Sequence, residues 1–118
     1  MRLNLTTIHV SDLDASLRFY HDTLGLPIVR QFQGGGGPIA MLGEEGQPQL
    51  ELVGFGKPAE AVGRGLSIGF VVDDLDKPMA ELAGKVPAFK GPVSPNPHVR
   101  FAFTADPDGY TVQLLENR

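Results

Sequence analysis

The 118-residue sequence contains no cysteine, no tryptophan and no apolar run of membrane-spanning length. Without cysteine, disulfides, thiolate metal sites and cysteine nucleophiles are all excluded. Without tryptophan, stacking on an aromatic ligand falls to the seven phenylalanines and two tyrosines. The amino-terminal residues lack the charged-then-apolar layout of a signal peptide. A soluble, cytoplasmic protein without a membrane partner is the expectation.

Positive charge is also scarce. The formal net charge is −4, and no basic stripe of the kind that binds nucleic acid is present. The sequence also lacks a G-x-S-x-G elbow, a P-loop and a dinucleotide fingerprint, so nothing points to nucleophilic hydrolysis or nucleotide binding. The acidic balance is compatible with a small cationic partner, although it also serves solubility.

The chain carries one pattern twice, at an offset of 62 residues. "VSDLD", which begins at Val10, recurs as "VDDLD" from Val72. At the same offset "ELV" at 51–53 is matched by "QLL", and the turn "EEGQ" at 44–47 is matched by "DPDG". Because one spacing aligns three separated features without a gap, the sequence indicates a duplicated unit.

Each copy begins with an alternating strand. In the first copy Ile8 and Val10 share an apolar face, and His9 lies on the other face. A helix follows in each copy, and Gly25 and Gly84 are its predicted ends. Three further strands are predicted in each copy, at residues 28–33, 38–43 and 48–54 and at residues 87–91, 99–104 and 110–116.

The first helix has a clear apolar spacing. Leu13, Leu17, Tyr20 and Leu24 recur at intervals of four, three and four residues, which predicts the buried side of the helix. Ser11 or Asp12, just before this run, can cap its first turn.

The predicted fold is α+β. It is a single domain made of two βαβββ units, at about residues 3–56 and 65–118, with a glycine-rich linker at 56–65. One helix covers one face of each four-stranded mixed sheet, so the other faces of two curved sheets would meet around a cleft. The run of four glycines at 34–37 is either a flap over a ligand or a plain hairpin connection.

Three segments resemble the vicinal oxygen chelate superfamily, which includes glyoxalase I, bleomycin-resistance proteins and extradiol dioxygenases. They are "VSDLDASLRFYHDTLGL" (10–26), "VVDDLDKPMAEL" (71–82) and "FTADPDGYTVQLLE" (103–116). The resemblance covers essentially the whole chain and implies the paired βαβββ fold. It also implies a small organic molecule as partner and a homodimer.

The resemblance further implies where a metal would bind. The metal enzymes of this superfamily place one ligand on the first and last strand of each unit. The matching positions here hold Leu5 and Ser67, where a metal enzyme has histidine, and Glu51 and Gln113, where it usually has glutamate. Leucine offers no donor and glutamine a weak one, so we expect no metal and no other cofactor.

Two residues are candidates for chemistry. Glu51 lies between Leu50 and Leu52 and is predicted to face the cleft, where its carboxylate meets a ligand or is solvated in an open groove. His9 shares a strand face with Leu5, so it is either an acid–base group for a bound molecule or a strand histidine bonded to a neighbour. The predicted ligand-binding set is His9, Glu51, Ser67, Arg100, Phe101, Thr111 and Gln113.

Two functions follow from these features. The first is a metal-free binding protein like the bleomycin-resistance proteins, which sequesters a small molecule and could confer antibiotic resistance. The alternative is a glyoxalase-like enzyme, either a lyase, an isomerase or a dioxygenase, that uses Glu51 and His9 with or without a weak metal site.

Overall fold

A computed structural model describes residues 1–56 and 65–118. The chain divides into two compact units on either side of this gap, unit 1 (residues 1–56) and unit 2 (residues 65–118). Residues 57–64 of the predicted linker lie outside the described residues.

Both units have the order strand, helix and three strands, which confirms the predicted βαβββ fold. The strands of unit 1 are β1 (Leu5–His9), β2 (Ile28–Gln33), β3 (Pro38–Leu42) and β4 (Gln49–Val53). The strands of unit 2 are β5 (Ser67–Val72), β6 (Lys90–Asn96), β7 (Val99–Ala105) and β8 (Thr111–Asn117). The helices are α1 (Leu13–Leu17), which continues as a π-helical segment (Arg18–Thr23), and α2 (Asp76–Leu82).

Each unit forms its own mixed four-stranded sheet. The strand orders are β1-β4-β3-β2 and β5-β8-β7-β6, with the first and last strands of each unit parallel and the other pairs antiparallel. Leu5 pairs with Gln49 in unit 1, and Ser67 pairs with Thr111 in unit 2. Both pairs are related by the 62-residue offset, so the internal repeat extends to the register of the strands.

The core of each unit lies on one side of its sheet. In unit 1 Ile8, Leu42 and Leu52 are at most 2% exposed, and α1 packs against β4. In unit 2 Leu114, the repeat equivalent of Leu52, and Val112 are also buried. Strand side chains alternate between faces, so the intervening residues lie on the side away from the core, which we call the open face.

The first helix is wider than its sequence pattern predicts. The Asp12 side chain caps it by accepting the Ala15 N–H at 3.2 Å. Beyond Leu17 the turns become π-helical, and the Leu24 N–H bonds the Phe19 carbonyl five residues back at 2.9 Å. The wider turns bury Phe19 and leave Leu17 and Leu24 half-buried, so the predicted spacing of the buried side is wrong over this stretch.

The strand predicted at 87–91 is displaced towards the amino terminus, because it shares only residues 90–91 with β6. Pro92 and Pro95 both lie inside this strand. β6 is an edge strand, so it has one side where missing N–H donors cost nothing. Its pairing with β7 is accordingly irregular, with register shifts on both sides of Val93.

The four glycines form the hairpin connection between β2 and β3. The Gly34 N–H donates to the Gly37 carbonyl at 2.7 Å. A Cβ atom on Gly36 would lie 2.5 Å from Cε2 of Phe55. Glycine is therefore needed because the backbone of this turn lies directly against an aromatic ring. Separately, none of the helices in the described part of the chain is both long and apolar enough to cross a membrane.

Unit 2 has an ionic cluster at the start of α2. Oε2 of Glu116 accepts the Leu75 N–H at 2.7 Å and Nη2 of Arg100 at 3.0 Å, and Oε1 accepts Nε of Arg118 at 2.7 Å. The hydrogen bonds from Arg118, from the Leu75 N–H and from Arg100 lower the pKa of Glu116 from 4.5 to about 2. Position 54, which is equivalent in the repeat, is glycine, so unit 1 has no such cluster.

This cluster makes stability depend on pH. Because the folded-state pKa of Glu116 is depressed, its contribution to stability is complete above about pH 4.5 and is lost as the pH falls towards 2. Glu116→Gln should therefore lower the urea midpoint at pH 7. The difference in urea midpoint between wild type and the variant should become smaller as the pH falls towards 2. Glu81→Gln, which changes an exposed glutamate of α2, is the control and should leave the profile unchanged. If the urea midpoints of wild type and Glu116→Gln differed by the same amount at every pH, Glu116 would not be the source of the pH dependence.

Candidate ligand-binding site

A row of four side chains crosses the open face of unit 1. By strand register Thr7 is paired with Glu51, Glu51 with Met41, and Met41 with Arg30. The hydroxyl of Thr7 donates to Oε1 of Glu51 at 2.7 Å. Glu51 is half-buried and lies on the open face, as the alternation of β4 predicts. One of its oxygens is thus held by Thr7, which fixes the direction of the carboxylate.

His9 lies one pair further along the same face. Its Nδ1 is 3.1 Å from the carbonyl oxygen of Phe55, and the two rings meet edge to face with centroids 6.4 Å apart. A carbonyl only accepts, so Nδ1 carries the proton in this contact. Of the two interpretations of His9, the bonded strand histidine describes these contacts, while an acid–base role stays a prediction.

The open face of unit 2 carries most of the remaining predicted residues. Ser67 is paired with Thr111, and Gln113 with Phe103. Oγ of Ser67 lies 3.5 Å from Oε1 of Gln113, a weak contact at the limit of hydrogen-bond distance. The face is partly aromatic, since the rings of Phe101 and Phe103 pack edge to face at 5.4 Å.

Arg100 does not share this face. It precedes Phe101 in β7, so it points to the opposite side, where its guanidinium bonds Glu116 at 3.0 Å and Asp76 at 3.1 Å. The sequence analysis placed Arg100 and Phe101 in one ligand-binding set. Strand alternation puts their side chains on opposite faces, so Arg100 does not belong to that set. Its partners are a strand and a helix end of its own unit, which is a structural role.

The donor set does not fit the metal site of the superfamily's enzymes. Leu5 lies on the open face with no donor atom, and one oxygen of Glu51 already accepts the Thr7 hydroxyl. Over residues 1–56 and 65–118, no three histidine, aspartate or glutamate side chains are grouped so that they could hold a metal ion. Metal independence remains a prediction, to be decided by elemental analysis.

Sequence reasoning missed a cavity at the Leu5 end of unit 1. Its volume is about 570 Å³, and Arg2 and Arg30 contribute to its wall along with Leu5, Met41 and Gln49. The sequence gives little indication of this cavity, because β2 and β3 pair with a register shift between residues 28 and 30. Alternation along the sequence alone therefore does not show that Arg30 is the cross-strand neighbour of Met41.

Comparison with known proteins shows the family. The sequence matches the Glyoxalase/Bleomycin resistance protein/Dioxygenase superfamily over residues 2–114. It is 30% identical to lactoylglutathione lyase of Haemophilus influenzae over 131 aligned residues, with 100% of this chain and 94% of that protein covered.

Solved structures agree. The antibiotic binding protein TnmS3 of Streptomyces sp. CB03234 has a TM-score of 0.82 and 28% identity, with 100% of this chain and 97% of that chain covered. The trypanothione-dependent glyoxalase I of Leishmania major has a TM-score of 0.76 and 31% identity, with 98% and 86% covered. The chain belongs to the Glyoxalase/Bleomycin resistance protein/Dioxygenase superfamily. Its relatives include both a binding protein and lyases.

Proposed function

We propose that this chain is a metal-free small-molecule binding protein, acting as a homodimer, that sequesters an organic ligand against the open sheet faces. The observation that carries the proposal is the Thr7–Glu51 pair. A metal enzyme of the superfamily would use the carboxylate at this position as a ligand, whereas here the Thr7 hydroxyl holds it at 2.7 Å and Leu5 offers no donor beside it. A carboxylate held in this way on the open face of unit 1 suits recognition of a hydrogen-bond donor or cation.

The similarity to TnmS3 supports this proposal, because that protein is an antibiotic binding protein. The class of ligand we propose is an antibiotic or another small organic molecule. On the open face of unit 2, Phe101 and Phe103 would supply apolar and stacking contact, and Ser67, Thr111 and Gln113 would supply neutral donors and acceptors.

The second candidate is a glyoxalase-like lyase. It is favoured by the 30% identity to a lactoylglutathione lyase over the full length of this chain. Glu51 would then act as the acid–base group, with His9 as its nearest imidazole on the same face.

One experiment separates the two candidates. The purified protein is dialysed, its metal content is determined by elemental analysis, and native mass spectrometry records any small molecule it carries. Turnover of the hemithioacetal of methylglyoxal and glutathione is then measured alone and with added Ni²⁺ or Zn²⁺. Lactoylglutathione lyase of Haemophilus influenzae serves as the positive control.

We expect no stoichiometric metal and no turnover, because leucine and serine replace two histidine ligands. About one equivalent of metal that survives dialysis, together with turnover, would overturn the binding proposal in favour of the lyase.

A further inference from the structure

The cavity of unit 1 concentrates positive charge in an acidic chain. Arg2 and Arg30 both contribute to its wall, while the net charge of the chain is −4. Glu45 also contributes, so the cavity has two cationic side chains against one acidic side chain. Leu3, Leu5 and Met41 give it an apolar part.

Neither arginine is neutralised within the described structure. Considering residues 1–56 and 65–118, no carboxylate lies within 4.0 Å of the guanidinium of Arg2 or Arg30. Arg100 and Arg118 differ in this respect, because both are bonded to Glu116. The two guanidinium groups at the cavity therefore retain donors for a ligand.

Arg30 is also oriented by its neighbour. Its guanidinium carbon lies 5.5 Å from the centre of the Phe32 ring. At this distance the cation is attracted to the face of the ring, which leaves the N–H donors of Arg30 available to a ligand. A carboxylate, sulfonate or phosphate group has the matching geometry, because two of its oxygens can accept two parallel N–H bonds.

We propose that this cavity binds the anionic group of a small organic acid whose apolar body lies against Leu5 and Met41. The inference rests on the proposed binding function and narrows its ligand class. Arg30 and Glu51 are separated by one strand in the same row, which is about 10 Å at ordinary strand spacing. The ligand class is therefore an organic acid that also carries a hydrogen-bond donor or cation about 10 Å from its anionic group.

The test uses benzoate as the probe and benzamide as its neutral counterpart. The ¹⁵N-labelled full chain is titrated with each compound, and amide shifts are followed by NMR. Benzoate should shift the amides of Leu5, Met41 and Gln49, and benzamide should bind more weakly. In the double variant Arg2→Gln/Arg30→Gln the Kd for benzoate should rise at least about tenfold, while the Kd for benzamide should change little.

Arg18→Gln is the matched control. It removes one positive charge from an exposed position on the π-helical segment, outside the cavity, and should leave benzoate binding unchanged. The single variant Arg2→Gln alters a residue outside the strands, so it tests the cavity even if loss of Arg30 disturbs β2. Equal affinity for benzoate and benzamide, or an unchanged benzoate affinity in both Arg2 variants, would overturn the inference.

Inorganic phosphate separates recognition of an organic acid from recognition of charge alone. Weaker binding of phosphate than of benzoate supports a ligand with an apolar body, and equal or tighter binding contradicts it. Failure of the anion-site inference can be distinguished from failure of the proposed binding function. A ligand carried through purification whose affinity is unchanged in Arg2→Gln/Arg30→Gln would overturn only the anion site, whereas turnover with bound metal would overturn only the binding proposal.

Discussion

Glu51→Gln should weaken binding of the ligand carried through purification about 10- to 150-fold. This range corresponds to about 1.5–3 kcal/mol, the contribution of a charge-assisted hydrogen bond. The substitution preserves shape, and the remaining amide oxygen can still accept the Thr7 hydroxyl that now lies at 2.7 Å. The free energy of unfolding should therefore change little, and calorimetric titration should show the loss in affinity alone.

Glu44→Gln is the control for this prediction. Glu44 is an exposed residue of the turn before β4, and the Gln49 side chain bonds its backbone carbonyl at 3.1 Å, a contact that the substitution leaves in place. The variant therefore removes the same charge without altering the open face. Equal affinities of wild type and Glu51→Gln would show that Glu51 is only a solvated residue of the face, and the ligand contacts would have to be sought near His9.

Leu52→Ala should lower the free energy of unfolding by about 2–5 kcal/mol, the usual loss when a buried leucine is truncated. Leu52 is 0% exposed and lies on the core face of β4. Leu5→Ala, made in the neighbouring strand on the open face, should cost less than about 0.5 kcal/mol because Leu5 is 38% exposed. Urea unfolding of the two variants measures the difference.

This pair of leucines tests the register directly. A shift of one residue in β4 would exchange its two faces, and Leu52 would then behave as an exposed residue. Comparable losses in the two variants would mean that the open face is covered as thoroughly as the core, and would contradict its assignment as a ligand-binding surface.

The sequence predicts the units well because strand alternation and duplication are strong signals. The faces of Ile8 and Glu51, and a cap at Ser11 or Asp12, follow from local patterns. β6 was misplaced because proline at a sheet edge costs no hydrogen bond, and no local pattern shows that a strand will be at an edge.

The side-chain partners were harder to predict, since they depend on long-range register. Arg100 was grouped with Phe101 by proximity in sequence, although alternation separates them. The bonds from Arg100 to Glu116 and from Leu75 to Glu116 join residues 16 and 41 positions apart, and no spacing rule brings them together. That Arg2 and Arg30 line the same cavity was equally hard to predict, because they lie 28 positions apart in the sequence.

The parallel pairing of first and last strands has a consequence for how each unit folds. Leu5 meets Gln49, and Ser67 meets Thr111, so each unit must close a loop of 44 residues before its first strand joins the sheet. The antiparallel pairs β3–β4 and β7–β8 join strands adjacent in sequence and require far shorter closures. The entropy of loop closure therefore favours early assembly of the three-stranded meander, with β1 and β5 added last. The strand that carries Thr7 and His9 thus completes its unit late, and the open face takes its final form only when folding is nearly finished.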